Sequence, residues 1–516
     1  MKDVLVIGSG INGLAAAALL SKRGRSVLLL EQSEDFGGAI RTEEVTLPGF
    51  RHDLFATNLS LFAGGGVMAA LRDDLVRNGL EFVPSDKPFC SLFPDGKVLG
   101  IMMDKAANRS TIAALAPGDI QAWDDLTTKF QRYTPFLFPL LGTELPSFKA
   151  LKIAFKAWRT LGTQESLNMV RMLLQSTRAF TDENFLHPEM KAMAATWGMH
   201  LDYGPDISGG ALFSFLESVG GQEFGMVLGK DGADSLVKAL VATIESYGGE
   251  LRSGQQVNEI LLDSGKAVGI KTANGEEIFA KSIIANVNPA LLPKLLPHAK
   301  AAEPDVEKLA HFRPGLGTMM IHLALSELPN WIATDAKKFN YVHIAPYVDD
   351  MALTYAHAAA GLLPAEPVLV IGQPTITDPA RAPEGKHILW IQVRVLPLVI
   401  KGDSLHEIAA RDWDAASEEY ADRIINNLAR YAPGLKSQIL ARKVLSPKDL
   451  ERYNPNLIKG DSLGGSHHPA QFFLRPMPGW TGHRTPIKNL FICGSGTWPG
   501  GGVGGGSGLL VADLIK

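Results

Sequence analysis

The sequence predicts an α/β protein: a parallel sheet wrapped by helices and assembled from three separated stretches, with α+β material inserted between them. Three observations predict it. Residues 4–7 form a β-branched, apolar run leading straight into Gly8-Ser9-Gly10-Ile11-Asn12-Gly13 and an Ala-rich helix. Residues 229–287 return with a loop, an amphipathic helix, a β-meander and an apolar strand, and residues 490–515 add a buried strand, a glycine-rich turn and a closing helix.

The first stretch carries the most chemistry. Residues 4–7 suit a strand buried on both faces, and G-x-G-x-x-G follows in the place a Rossmann-like dinucleotide-binding unit requires. Gly8 allows the tight turn, Gly10 lets backbone approach a pyrophosphate, and Gly13 lets the helix lie close on the sheet. The helix N-terminus, with Ile11 and Asn12 beside these glycines, presents unpaired N–H groups to phosphate. Arg23-Gly24 ends the helix, and residues 26–30 read as the second parallel strand. That strand delivers Glu31, next to Gln32, where a carboxylate can accept from ribose hydroxyls. An ordinary βαβ unit with a glycine turn would not need three glycines at these spacings and a placed acid.

Bulk properties bound the rest. A chain of 516 residues holds more than one core, and 50 Lys plus Arg against 54 Asp plus Glu leaves a net charge of −4, with no footprint for nucleic acid. The two cysteines, Cys90 and Cys493, form no C-x-x-C, so neither a local dithiol nor a disulfide framework is expected, and no metal site is read. The chain enters its first strand almost at once and has no run of membrane-span length, so a cytoplasmic location is expected.

After Glu31, a short polar loop reaches Gly37-Gly38-Ala39-Ile40-Arg41, whose basic residue suits a dianionic pyrophosphate; a surface salt bridge is the other reading of Arg41. His52 and Asp53, after the Pro48-Gly49 turn, are acid/base candidates, with capping and loop anchoring as the alternative. From about residue 81 to 224 the glycine fingerprints vanish. Residues 134–141 are strongly apolar, and residues 148–161 interleave Lys149, Lys152, Lys156 and Arg159 with Leu151, Ile153, Phe155 and Trp158. Two readings stand: a segment lying on a membrane surface, or a helical substrate domain with its own core. Residues 166–180 and 188–197 read as further helices.

Residues 234–247 are helical by the spacing of Leu236, Leu240, Ile244 and Tyr247, and an Asn274-Gly275 turn joins two strands of the meander that begins near Val257. Residues 289–457 form a second non-nucleotide block, with strands at 319–325, 368–372 and 388–395 and a helix at 412–431. Domain boundaries are expected at 1–80, 225–288 and 460–516 for the nucleotide-binding domain, and at 81–224 and 289–459 for the substrate domain. In the final stretch, Gly494, Gly496, Gly502 and Val503 belong to a turn so rich in glycine that a flat ring approached by backbone is its expected partner.

The strings GGAIRTEEVTLPGF at 37–50, FLRPMPG at 473–479 and HRTPIKNLFICGSGTWPGGGVGG at 483–505 resemble the phytoene and carotenoid desaturase-like flavoproteins. Within them the sequence is most similar to the subgroup of the pyridine nucleotide-disulfide oxidoreductase domain-containing protein 2 and the bacterial β-carotene ketolases. The resemblance implies a discontinuous FAD-binding domain of the glutathione-reductase/amine-oxidase type holding FAD non-covalently. By the same resemblance, Gly38, Ala39 and Arg41 lie beside the pyrophosphate and ribityl chain, residues 48–58 lie near the isoalloxazine ring, and the Val257 backbone contacts adenine. The motif departs at Trp498, where such desaturases carry His; an indole offers an apolar wall and one donor, so Trp498 joins His52 and Asp53 as a candidate lining the site. With one dinucleotide fingerprint spent on FAD, the expected chemistry is hydride transfer between flavin N5 and a hydrophobic, isoprenoid or polyene substrate, with oxygen or a quinone as the other redox partner. A flavin amine oxidase and an FAD-loaded interaction protein are the alternatives.

Overall fold

The computed structural model describes residues 1–299 and 305–515. Its first sheet has a parallel core in the spatial order Leu490–Ile492, Glu277–Ala285, Lys2–Ile7, Val27–Leu30, Glu250–Arg252. Strand Glu277–Ala285 does double duty. Its first residues pair antiparallel with Lys266–Thr272, which in turn pairs with Val257–Asp263, while its second half runs parallel to Lys2–Ile7. The meander thus hangs from the parallel core by one shared strand.

Helix Ile11–Lys22 is buried almost all round. The sheet covers one side, and helices Asp234–Ser246 and Gly506–Leu514 cover the others. Ala15 to Ala18 let three neighbours approach at once, and Gly13 has no room for a Cβ, which would strike the Gly8 carbonyl oxygen. This is the close packing the fingerprint predicts.

The second sheet also has seven strands, in the order Ile439–Leu445, Gly317–Leu325, His387–Leu396, Val368–Gly372, Tyr341–Ile344, Phe89–Leu92, Val98–Ile101, antiparallel except between Tyr341–Ile344 and Phe89–Leu92. Its outer face is apolar, built from Met319, Ile321, Leu323, Leu369, Ile371, Leu389, Ile391 and Val393. Helix Trp413–Tyr431 lies on that face. Its Tyr420, Ile424 and Leu428 recur at helical spacing and are fully buried, each contributing about 2 kcal/mol on burial, and Asp412 caps its first turn. The inner face differs: one cross-strand row reads His322, Trp390, Gly372, Tyr341, Phe89, and the next Met320, Gln392, Val370, His343, Ser91. Helices Ile120–Leu141, Pro188–Met199 and Gly210–Phe224 pack with it in one core.

Several expectations need correction. The sequence marks no element at 82–101, where the structure forms strands Phe82–Ser85, Phe89–Leu92 and Val98–Ile101; each is only four residues long and gives too little alternation to register as a strand. The expected helix at 166–180 is two, Thr163–Leu174 and Thr177–Asn184, with Ser176 capping the second. The apolar run at 134–141 is the end of the 22-residue helix Ile120–Leu141, where Phe136 and Leu137 turn inward. Helix Phe148–Leu161 packs against it with Ala150 and Ala157 buried, yet leaves Phe148 86% exposed, Leu151 65%, Phe155 58% and Trp158 45%. Among the described residues no helix is long and apolar enough to cross a membrane.

Candidate functional site

A cleft of about 390 Å³ opens where Lys2–Ile7 and Val27–Leu30 end, the edge of a parallel sheet at which the loops diverge. Its walls include Gly8, Gly10, Glu31, Gln32, Gly38, Arg41 and Val257 of the residues singled out from the sequence. Around them stand Gln255, Gln256, Asn258, Asn286, Lys294, Tyr453, Asn454 and Asn456, which the sequence reading missed. The C-terminal end of a central parallel strand is where ligand contacts gather, so the residue directly after Ala285 could have been singled out. Asn454 and Asn456 carry no such local signal and reach the cleft through the tertiary fold.

The glycine loop is fixed by one amide. Asn286 Nδ2 donates to the carbonyls of Gly8 and Gly10 at 3.2 and 3.3 Å, and its Oδ1 lies 3.7 Å from Cys493 Sγ. A Cβ on Gly10 would stand 3.0 Å from that Nδ2, so Gly10 is small for Asn286 as well as for a ligand. Glu31 is equally constrained: Oε2 accepts from Ser9 N at 2.8 Å and Ser9 Oγ at 2.7 Å, and Oε1 accepts from Ser33 N at 2.9 Å. A carboxylate has about four acceptor sites, so capacity for a ribose hydroxyl remains on Oε1. Arg41 donates to Asp35 at 2.7 Å, pairs with Glu43 at 3.0 Å and lies over the Tyr453 ring, so both readings of it hold at once: it is salt-bridged and it lines the cleft.

The remaining candidates lie outside this cleft. Ile11, Asn12 and Gly13 form the first turn of the helix behind it, and Asn12 Oδ1 accepts from Gly508 N at 3.2 Å, tying that turn to the closing helix. Ala39 accepts from Ala56 N at 3.4 Å, which brings residues 37–41 against residues 55–56. The glycine-rich turn has a simpler explanation than ring approach at several positions: a Cβ on Gly496 would meet Pro289, on Gly501 the Leu463 carbonyl, and on Gly508 the Asn12 carbonyl. Gly494 donates to Ser507 Oγ at 3.0 Å, Gly502 is exposed and packs on Leu61, and Val503 is half-buried.

Two acid/base candidates are anchors. Asp53 is buried and accepts from Thr42, Thr57, Ala233 N and Arg381, the last at 2.5 Å, so its acceptor sites are consumed. His52 is buried too, bonded to Thr46 Oγ1 at 2.7 Å with its ring edge-on to His322 at 5.4 Å. Burial first, then the neighbouring His322 and the Arg381 cation, push its imidazole down to about 2, which removes it from proton transfer near neutrality. Trp498 is likewise committed: its indole N–H donates to the Thr143 carbonyl at 2.9 Å and its ring packs on Phe472 and Phe473. It joins the glycine-rich turn to the end of helix Ile120–Leu141.

Comparison with known proteins agrees with this architecture. The chain is 26% identical to the pyridine nucleotide-disulfide oxidoreductase domain-containing protein 2 of Mus musculus, over 99% of this chain and 93% of that protein. It is 26% identical to the neurosporene-forming phytoene desaturase of Cereibacter sphaeroides, over 99% and 94%. Among solved structures it resembles an oxidoreductase from Methanosarcina mazei (TM-score 0.65, 20% identity, 100% of both chains) and a putrescine oxidase bound to putrescine (TM-score 0.61, 15% identity, 100% and 98%), which shows a shared fold. The family model for flavin containing amine oxidoreductases matches residues 11–516, so that the chain belongs to this family and is an FAD-dependent oxidoreductase.

Proposed function

We propose that the protein oxidises a hydrophobic polyene or isoprenoid substrate. In this reading residues 1–80, 225–288 and 460–516 hold FAD, and residues 81–224 and 289–459 hold the substrate. Gly8, Gly10 and the first turn of helix Ile11–Lys22 take the pyrophosphate, Glu31 the ribose, the backbone at Val257 the adenine, and Arg41 adds positive charge beside Gly38 and Ala39. FAD supplies a two-electron acceptor when bound. The substrate loses a hydride and a proton as a C–C single bond becomes double, and oxygen or a quinone takes the electrons onward.

The observation that carries this reading is the match, over 99% of the chain, to a neurosporene-forming phytoene desaturase. The inner face of the second sheet is apolar and aromatic as well: Phe89, Tyr341 and Trp390 share a core with Phe130, Phe215, Met193 and Leu216 of the facing helices.

A lipid surface fits as the place where such a substrate is met. Phe148, Leu151, Phe155 and Trp158, with Leu167, Val170 and Leu174 of the next helix, present apolar side chains to solvent beside Lys149, Lys152, Lys156 and Arg159. The test of the substrate class is anaerobic: an acyclic polyene hydrocarbon delivered in detergent should bleach the flavin absorbance, and a primary amine should not. Bleaching by amines alone would replace this reading, and bleaching by neither class would favour a flavin-loaded binding protein.

A further inference from the structure

On the inner face of the second sheet, three aromatic side chains with polar nitrogens converge. The rings of Trp197 and His200 lie 4.6 Å apart, Trp197 and His343 5.0 Å, and His200 and His343 5.1 Å. Among the described residues, neither nitrogen of His343, nor His200 Nε2, nor Trp197 Nε1 has a hydrogen-bond partner, although His343 is fully buried and Trp197 nearly so. The ring of Phe89, which packs against Gly221 of the facing helix, stacks on His343 at 5.5 Å. Buried polar groups left unpaired are costly and rare, and a cluster of them calls for a ligand that completes it.

Resting on the hydrophobic-substrate reading above, we propose that Trp197, His200 and His343 form an internal subsite for an uncharged oxygen function, a hydroxyl or carbonyl, on an otherwise apolar substrate. The donor and acceptor balance supports this choice. Burial pushes His343 down to about 3 and, with the neighbouring His343 and Arg394, takes His200 well below the usual range, so each neutral imidazole offers one donor and one acceptor. Trp197 adds a donor. A carboxylate ligand would bring a full charge among neutral buried groups, which costs far more than burying a hydroxyl. The subsite is also connected to the nucleotide half: Tyr341, next to His343 in the sheet, stacks on Trp390, whose indole donates to the Phe55 carbonyl at 3.0 Å, beside the Ala56 to Ala39 contact.

The experiment titrates anaerobic holoenzyme with three matched long-chain acyclic isoprenoids, a hydrocarbon, its terminal alcohol and the corresponding carboxylic acid, reading the perturbation of the flavin spectrum. The alcohol should bind at least tenfold more tightly than either other probe. His343→Leu and Trp197→Phe should each reduce that preference severalfold, with hydrocarbon affinity and flavin content unchanged. Equal binding of alcohol and hydrocarbon by the wild type, a preference for the acid, or an alcohol preference that survives in both variants overturns the subsite while leaving the substrate class in place. If no probe perturbs the flavin, the substrate class itself fails and the subsite with it. The wild-type comparison decides the matter even if a variant does not fold.

Discussion

Asn286 holds Gly10 from across the sheet. Its Nδ2 bridges the Gly8 and Gly10 carbonyls, and its own backbone N–H is bonded to Ile7, so the residue that ends strand Glu277–Ala285 sets the shape of the phosphate loop built on Lys2–Ile7. Asn286→Ala removes both side-chain bonds and opens space beside Gly10. We expect a loss of about 1–2 kcal/mol in FAD binding, near tenfold in Kd, with the fold retained. Titration of apoprotein with FAD checks this. Unchanged affinity would mean that the loop holds its shape without the amide.

Trp498 and Thr143 make the second tie that can be cut cleanly. Trp498→Phe leaves the Thr143 carbonyl unpaired in a buried setting and should cost about 1–3 kcal/mol, read as a lower melting temperature. Trp498→Ala adds a cavity between Phe472 and Phe473 and should cost about 3–5 kcal/mol. If Trp498 were a substrate wall instead, the Phe variant would melt like the wild type and only the Ala variant would lose substrate affinity.

Acid should destabilise the protein early. His52, His322, His343 and His483 are buried, and burial pushes them down to about 2, 4, 3 and 4. Their folded values lie below the unfolded one near 6.5, so the unfolded chain binds more protons as pH falls and stability drops. The stabilisation is complete above about pH 6.5 and is lost toward pH 4, at up to about 1.4 kcal/mol per histidine per pH unit. Melting temperature should therefore fall steeply between pH 6.5 and 5, and His322→Gln should flatten the slope. A melting temperature constant over that range would show that these rings take up protons in the folded state.

What the sequence reveals of this protein follows how local the chemistry is. Gly8, Gly10, Gly13 and Glu31 are legible because a turn, a helix start and a strand end each impose a residue type at fixed spacing. The Asn274-Gly275 turn is legible for the same reason, whereas Val257 is singled out only by the family resemblance. His52 and Asp53 mislead, since a buried His and Asp look the same in sequence whether they face a ligand or, as here, Thr46 and Arg381. The glycines at 496, 501 and 508 mislead differently: their partners Pro289, Leu463 and Asn12 are distant in sequence, so close packing looks like ligand approach. The polar side chains on the inner face of the second sheet leave no sequence mark at all, because His322, His343 and Gln392 come from three different strands.

The exposed face of helices Phe148–Leu161 and Thr163–Leu174 should bind anionic lipid. Phe155 and Trp158 would enter the interface while the lysines meet headgroups, each contributing about 1 kcal/mol near a charged surface. Flotation with anionic vesicles should carry the wild type. The variant with Lys149, Lys152 and Lys156 changed to Glu should remain at the bottom of the gradient. Equal flotation of the two, or none of the wild type, would leave the face to a protein partner.

Electron delivery is the last expectation, and it follows from how the two sheets differ. The parallel sheet supplies the crossover that places a glycine loop and a helix N-terminus at a strand end, and it does so at Lys2–Ile7 and Ile11–Lys22, where FAD is expected. The second sheet is antiparallel but for one strand pair, and antiparallel neighbours are joined without that crossover. NADH and NADPH therefore have no corresponding nucleotide cradle in it, and the sequence holds one strand-linked G-x-G-x-x-G. Both cysteines are buried, which pushes their thiols up and away from redox reactivity, so a dithiol relay is not expected either. Anaerobic enzyme mixed with either nicotinamide should keep its oxidised flavin spectrum through many turnover times. After reduction by dithionite, air or a soluble quinone should restore it. Rapid bleaching by NADH or NADPH would show that a reductant reaches the ring by a route other than a second Rossmann-like site.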